Sequence, residues 1–565
     1  MLNVLLLLAL PSLAVCAGDF TVVAHLKHRN VSQLEETFWN VATPGNKDYL
    51  KHLSVSDLAD VIGSSASDIS SVEKWLTSTG GSSVEVSPLR DSVSAVFESD
   101  THSLTLGSFG VPVKDSRRPD AVSFVLRRDH GASDSSEAAK KQSSASARPT
   151  IKSTSNPTVE EIKNAYGIPL DFLATNDLTT SMVWGPGTFG YEPAALAVFA
   201  SEQAPLINLQ KIRFDTDNHG TPGGDNWYEG TLDVQMISSF GLNATTLVSN
   251  TNTSASTEET TGFGAALLDF VSELSSRPTV PHVLSMSLGS LSAMSCSLLC
   301  SSVSSMGITS SACLDYISKQ RQVCMFLSAE QTERINVYFM ALGLRGVTVM
   351  GASGDGGSHF SFTAFSTGGD DDDIATALNE VSCSNQLPVF PTESPYVLSV
   401  GGEMWDGSSK NPVTWNAQGK YGSGSGFSLQ FPAPAHQQAA VSAYLQKDGM
   451  PPSSSFNAAN RAYPDVAAVG VSGTSQSCPI TAGIWALITD IRLNKGLPPL
   501  GYVATRIYQI AGMHPGEAFE DIIGGNSCTS CDNGFPATDG WDANTGFGRP
   551  KWDGLVKYFG SDDWM

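Results

Sequence analysis

Apolar positions along the chain recur with two periods, and the alternation between them outlines the architecture. Near the N-terminus, Phe20 to Leu26 reads as a strand and Val31 to Val41 as a helix. Ser54-Val55-Ser56-Asp57 has the composition of a helix cap, ahead of a helix with Leu58, Val61 and Ile62 on one face. Ile69 to Leu76 continues helical, and Ser92 to Glu98 alternates like a strand. These elements predict a compact α+β unit. From Thr158 onward, short apolar runs at Ala195–Phe199, Val283–Ser287, Val347–Gly351 and Val397–Val400 read as strands. Amphipathic patterns at Gly264–Leu274 and Thr332–Gly343 read as helices. Such alternation predicts an α/β domain with a mostly parallel sheet, covered by helices on both faces.

Between the two parts, positions 129–157 are polar, Ser-rich and nearly free of large apolar residues. They are expected to form a flexible, cleavable linker. Positions 290–326 interrupt the large domain with Cys296, Cys300, Cys313 and Cys324 in a Ser-rich context, as a disulfide-pinned insertion would. Asp370 to Asp373 reads as a solvated surface loop.

Charge and cysteine usage narrow the function classes. The 565-residue chain carries a net charge of −23, which disfavours nucleic acid and anionic membrane as partners. Met1 to Ala17 reads as a signal peptide, and no later apolar run is long enough to span a bilayer. An exported, oxidised product follows. Its eight remaining cysteines can pair, although their spacing leaves the connectivity open. Cys528 and Cys531 are expected to be half-cystines of separate disulfides, and Asn30, Asn243 and Asn252 begin glycosylation sequons.

Four stretches could carry chemistry. Ser475 follows Gly473 and Thr474 and directly precedes a helical pattern of Ile480, Ile484, Leu487, Ile488 and Ile491. A serine at such a junction lies beside the free N–H groups of a helix start, and Pro479 is expected in that helix's first turn. Glu229 and Asp233, in E-G-T-L-D, are four residues apart and share a helix face. Two adjacent carboxylates resist joint ionisation, so one holds a proton while the other acts as a base. Asp355 lies in G-A-S-G-D-G-G at the carboxyl end of an apolar strand, where α/β sites form. Asp521 and Asp542, amid Gly-rich backbone, could cage a hard cation. Taken singly, each stretch also fits a plain turn or a solvated acidic face.

In combination they resemble the sedolisin family, the serine-carboxyl peptidases, and within it the tripeptidyl-peptidase 1 type. The resemblance rests on P-G-N-K-D-Y-L-K-H-L-S (44–54), V-E-K-W-L (72–76), E-G-T-L-D (229–233), A-S-G-D-G (352–356), P-V-F-P-T-E-S-P-Y-V-L-S-V-G-G (388–402), F-N-A-A-N-R-A-Y-P-D-V-A-A (456–468) and S-G-T-S-Q-S-C-P (472–479). It implies a subtilisin-like sheet at 158–565, behind an activation prodomain at 18–128 that serves as intramolecular inhibitor and chaperone. It also implies Ser475 as nucleophile, Glu229 as general base, Asp233 as its orienting carboxylate and Asp355 as the oxyanion residue. One structural Ca²⁺ would be held by the carboxylates of Asp521 and Asp542 and the carbonyls of Ile522, Thr538 and Gly540. Peptides or unfolded proteins are the implied substrates, in a secreted, lysosomal or vacuolar setting. A glutamate base suits acid, where imidazole is protonated, and Asp355 can donate to an oxyanion only while protonated.

Two departures bear on activity. Only Val469, Gly470 and Val471 separate Ala468 from Ser472, where the family has a longer segment. Gln476 replaces a small residue and is expected to crowd the turn. Three activities stay open: tripeptide release, endopeptidase action, and a pseudo-peptidase that only binds.

Overall fold

The computed structural model describes residues 19–97, 118–129, 157–216, 219–224, 226–251, 256–257, 262–319, 324–325, 327–360, 372–405, 411–417 and 419–564. The expected signal peptide, nearly all of the expected linker and the Asn252 sequon lie outside these residues.

The N-terminal unit is an antiparallel sheet backed by helices. Strands β1 (Phe20–Leu26), β2 (Ser82–Val86), β3 (Ser92–Phe97) and β4 (Val122–Asp129) run in the order β2-β3-β1-β4. Helices α1 (Val31–Ala42), α2 (Val55–Ile62) and α3 (Ala66–Ser78) complete it. Ser54 and Asp57 form the expected capping box at α2, which satisfies two otherwise orphaned N–H groups.

The large unit begins with α4 (Val159–Tyr166), closed by the left-handed Gly167. Its main sheet contains β5 (Thr180–Pro186), β6 (Ile212–Phe214), β7 (Thr245–Thr251), β9 (Val283–Met286), β10 (Thr348–Ala352), β11 (Leu398–Trp405) and β13 (Val466–Val469) in the order β6-β7-β5-β9-β10-β11-β13, all parallel. A short antiparallel strand, β12 (Pro412–Thr414), pairs with the end of β11. Helices α6 (Trp227–Phe240) and α9 (Thr474–Asn494) pack together on one face. Helices α7 (Phe263–Ser276) and α8 (Ala329–Leu344) pack together on the other. The α6–α9 crossing is close because Gly483 has no side chain; a Cβ there would lie 2.7 Å from the Gly241 nitrogen.

One expected strand is a helix. Ala195–Phe199 lies inside α5 (Pro193–Gln203), whose first turn holds Pro193 and whose Ala194 N–H is capped by the Glu192 side chain. Only Leu196 and Ala200 are buried, at helical spacing, and Val198 is 56% exposed. An exposed Val on a helix that is apolar all round imitates the continuous apolar run of a buried strand.

Among the described residues three disulfides are formed: Cys296–Cys324 and Cys300–Cys313 pin the insertion, and Cys383–Cys531 spans 148 residues. The insertion has its own core of Leu291, Leu299, Val303 and Ile317, shared with Leu378 and Val381 of a helix at Asp372–Ser384. That helix, Asp372–Ser384, starts within the acidic run expected to be a loop, and negative charge is favourable at a helix start. Cys528, expected as a half-cystine, is a free thiol that accepts the Gly534 N–H; Cys478 is the other, fully buried.

The two units share a buried seam. α1 lies against α8, and β4 pairs with the short strand β8 (Ser256–Thr257) of the large unit. Arg334 on α8 donates to the carbonyls of Leu26 and Asp91 at 2.7 and 2.9 Å. Tyr338 donates to the Asp91 carboxylate at 2.7 Å, and His28 bonds the same oxygen at 3.0 Å. Burial works against ionised Asp91, but His28, Arg334 and Tyr338 outweigh it and hold its carboxyl far below the usual range. Burial and Arg334 press His28 down to about 4.

Candidate active site

The candidate residues gather at the carboxyl ends of β5, β9, β10 and β13. Helix α6 is aimed by Asn226, whose amide donates to the Pro186 carbonyl at 2.8 Å and whose N–H donates to Thr188 at 3.0 Å. Gly230 is pressed onto the Gly190 backbone, where no Cβ would fit. Glu229 is half-buried in this first turn, and Asp233, one turn on, is fully buried. Burial raises the Asp233 carboxyl well above its ordinary range, and the negative charge of Glu229 adds to this. The pair therefore holds a proton in acid, as two neighbouring carboxylates must.

Ser287, just beyond β9, joins this pair to the serine helix. Its hydroxyl donates to Asp233 Oδ1 at 2.8 Å, and its oxygen lies 3.4 Å from the Ser475 carbonyl. Pro479 explains that second contact. It is the sixth residue of α9, not part of a first turn as expected, and it has no N–H for the Ser475 carbonyl four residues earlier. Ser287 occupies the gap. Sequence reasoning missed this residue; the available signal was a small polar side chain just past an apolar strand.

Ser475 lies in the first turn of α9 and is 6% exposed. Gly473 precedes it at φ +105°, and a Cβ there would sit 2.6 Å from Asp355 Oδ2. Asp355, three residues past β10, accepts the Thr474 N–H at 2.8 Å and the Thr474 hydroxyl at 2.9 Å. Thr474 in turn accepts the Gly354 N–H at 3.0 Å. The Asp355 loop and the start of α9 thus hold each other. The approach to Ser475 is a compact turn in which Gly470 donates to the Glu403 carbonyl and Gly473 to the Gly470 carbonyl, both at 2.9 Å. Gln476 does not merely crowd it. Its side-chain carbonyl accepts the Ser472 N–H at 3.0 Å, so the larger residue stitches the turn.

The candidate cation residues also converge. The Gly540 N–H donates to Asp521 Oδ2 at 2.7 Å, and the Thr538, Asn544 and Thr545 N–H groups donate to Asp542. Asp521 Oδ1 is buried without a hydrogen-bond partner. Burial, reinforced by Asp521, pushes the Asp542 carboxyl up to about 8. An orphaned anionic oxygen beside a second buried carboxyl fits a hard cation held by these groups and by the Ile522, Thr538 and Gly540 carbonyls.

Comparison with known proteins gives a consistent result. Pseudomonas sedolisin, a serine-carboxyl proteinase solved with pseudo-iodotyrostatin, is 20% identical, with 71% of this chain and 97% of that one covered at a TM-score of 0.48. Residues 19–103 match the pro-kumamolisin activation domain. Tripeptidyl-peptidase 1 of Canis lupus familiaris is 27% identical over 586 residues, covering 95% of this chain and 91% of the relative. Tripeptidyl-peptidase 1 of Homo sapiens is 27% identical over 583 residues with the same coverage. The chain is a serine-type peptidase made as a zymogen, with an α/β fold built on a mostly parallel sheet behind an activation domain. It is similar along 95% of its length to the tripeptidyl-peptidase 1 proteins, and its N-terminal unit is similar to the pro-kumamolisin activation domain.

Proposed function

We propose that this peptidase works in acid through an acyl-enzyme on Ser475 and releases tripeptides from free N-termini. The observation that carries the reading is the convergence of Asp233, through Ser287, and Asp355, through Thr474, on one helix turn around Ser475. Glu229 takes the Ser475 proton as the hydroxyl attacks the scissile carbonyl, and returns it to the leaving amine. Asp233 orients Glu229 and shares its proton. Asp355, protonated, donates to the oxyanion of the tetrahedral intermediate, a role worth several kcal/mol where such donors have been removed, about 2.7–4. Water then attacks the acyl-enzyme by the reverse path.

Asp521, Asp542 and the carbonyls of Ile522, Thr538 and Gly540 would hold a Ca²⁺ ion, whose positive charge would favour the ionised carboxylates and tie the C-terminal loops together. The N-terminal unit acts as intramolecular inhibitor and chaperone until cleavage within 129–157. The tripeptidyl-peptidase 1 relatives support exopeptidase action, and the signal-like Met1 to Ala17 supports an exported, secreted or lysosomal setting. Among the described residues no helix is long and apolar enough to cross a membrane.

The test is product analysis on peptides with free and acetylated N-termini. Tripeptides from the free substrates alone support the reading. Internal cleavage of both substrates at equal rates supports an endopeptidase instead.

A further inference from the structure

The turn that delivers Ser475 has only four residues, Gly470 to Gly473, between the end of β13 and the start of α9. Its entry is held by two side chains from distant elements. Tyr166, the last residue of α4, is buried, and its hydroxyl donates to Glu403 Oε1 at 2.8 Å. The same hydroxyl accepts the Val469 N–H at 2.8 Å. Glu403 is the β11 residue in register with Val469, and its backbone carbonyl accepts the next N–H, that of Gly470, at 2.9 Å. Two successive N–H groups at the exit of β13 are thus taken by one Tyr–Glu unit.

The path onward to Ser475 is short and rigid. The Ser477 hydroxyl, in the first turn of α9, donates to the carbonyls of Ala468 and Val469 at 3.0 and 3.2 Å. The strand end that Tyr166 grips therefore carries the helix turn that bears Ser475. Burial and the neighbouring Glu403 keep the Tyr166 hydroxyl protonated, so it remains a donor. The second Glu403 oxygen faces the Arg549 guanidinium at 3.6 Å, a charge contact beyond hydrogen-bond reach. Burial pushes Glu403 up to about 7, opposed by Arg549 and Tyr166, and Oε1 accepts from Tyr166 in either protonation state.

We propose that Tyr166 and Glu403 are positioning residues for Ser475, holding the exit of β13 from which the four-residue turn delivers it. The proposal rests on Ser475 being the nucleophile. A hydroxyl that drifts by an ångström loses rate without losing substrate affinity, by as much as about 100-fold.

The test uses the acid-matured full chain, with kcat and KM on a peptide substrate and the rate of fluorophosphonate labelling of Ser475. Tyr166→Phe keeps the ring and removes the clamp. It is expected to lower kcat and the labelling rate together, by roughly 10- to 100-fold, with KM unchanged. Glu403→Gln preserves an acceptor and should behave as wild type. Glu403→Leu should resemble Tyr166→Phe, and the double variant should be no worse than the weaker single, since both act through one contact. If Tyr166→Phe does not fold, Glu403→Leu against Glu403→Gln carries the comparison. Clamp variants that label and turn over at the wild-type rate overturn the proposal alone. A wild-type chain whose activity survives Ser475→Ala overturns the nucleophile assignment and the proposal with it.

Discussion

Pro479 leaves the Ser475 carbonyl without its helical N–H partner, and the Ser287 hydroxyl stands 3.4 Å from that carbonyl while donating to Asp233. The serine helix and the carboxylate helix are therefore joined through one hydroxyl. Ser287→Ala removes it. Because the Ser287 bond lowers the Asp233 pKa, its loss moves that carboxyl further up. The expected outcome is a fall in kcat/KM of about 10-fold, the order of one lost buried hydrogen bond, with the alkaline limb of the pH–rate profile displaced to higher pH. An unchanged profile would show that Ser287 does not couple to the carboxylate pair.

Gly473 meets two constraints at once, a φ of +105° and the nearness of Asp355 Oδ2. Gly473→Ala must displace either the turn or Asp355. The expected cost is about 1–3 kcal/mol of stability from the strained backbone. Turnover should fall by about 100-fold, because Ser475 and Asp355 separate. Thermal melting alongside kcat checks both.

The seam between the two units should weaken in acid. His28 has an ordinary pKa of 6.5 and one of about 4 when docked, so the docked form binds the neutral ring. Its contribution is fully present above 6.5 and is lost as pH falls from 6.5 toward 4, a shift corresponding to ~3 kcal/mol. Arg334 and Asp91 face the ring from α8 and from the turn before β3, with the Tyr338 ring at its edge, and Asp91 stays ionised across this window. His28→Gln cannot titrate. In a Ser475→Ala full chain, release of the N-terminal unit after a protease nick should rise steeply with acid for the parent and more shallowly for His28→Gln. Equal slopes would remove His28 from the account.

Calcium should stabilise the C-terminal loops. At a hundredfold excess over Kd, a single site contributes about 2.7 kcal/mol, which chelation removes. Thermal unfolding should shift down by several degrees with chelator and return with Ca²⁺, and Asp521→Asn should abolish the response. A melting curve indifferent to chelator argues against the site.

What could be read beforehand follows the range of the interactions. Glu229 and Asp233 share a helix face through local spacing, and Gly473-Thr474-Ser475 announces a helix start, so the sequence places both. Strand β5 is hard to see, since polar Thr180 and Ser181 open it and Pro186 closes it. Ser287, Tyr166 and Glu403 act across 188, 303 and 237 positions, and no periodicity reports such contacts. The Cys383–Cys531 pairing escapes for the same reason, and Cys528 reads as paired because an exported chain with an even number of cysteines is expected to pair them all. Gln476 reads as an obstruction until its side chain is found bonded to Ser472.

The central claim is that the four-residue turn from β13 presents Ser475 as an acid-active nucleophile. The direct measurement is fluorophosphonate labelling of the acid-matured chain, with the labelled residue located by mass spectrometry and the rate followed against pH. The account predicts labelling on Ser475, abolished by Ser475→Ala, faster in acid and lost toward neutrality as the Glu229–Asp233 pair gives up its proton. Labelling that is absent, or fastest at neutral pH, would contradict it.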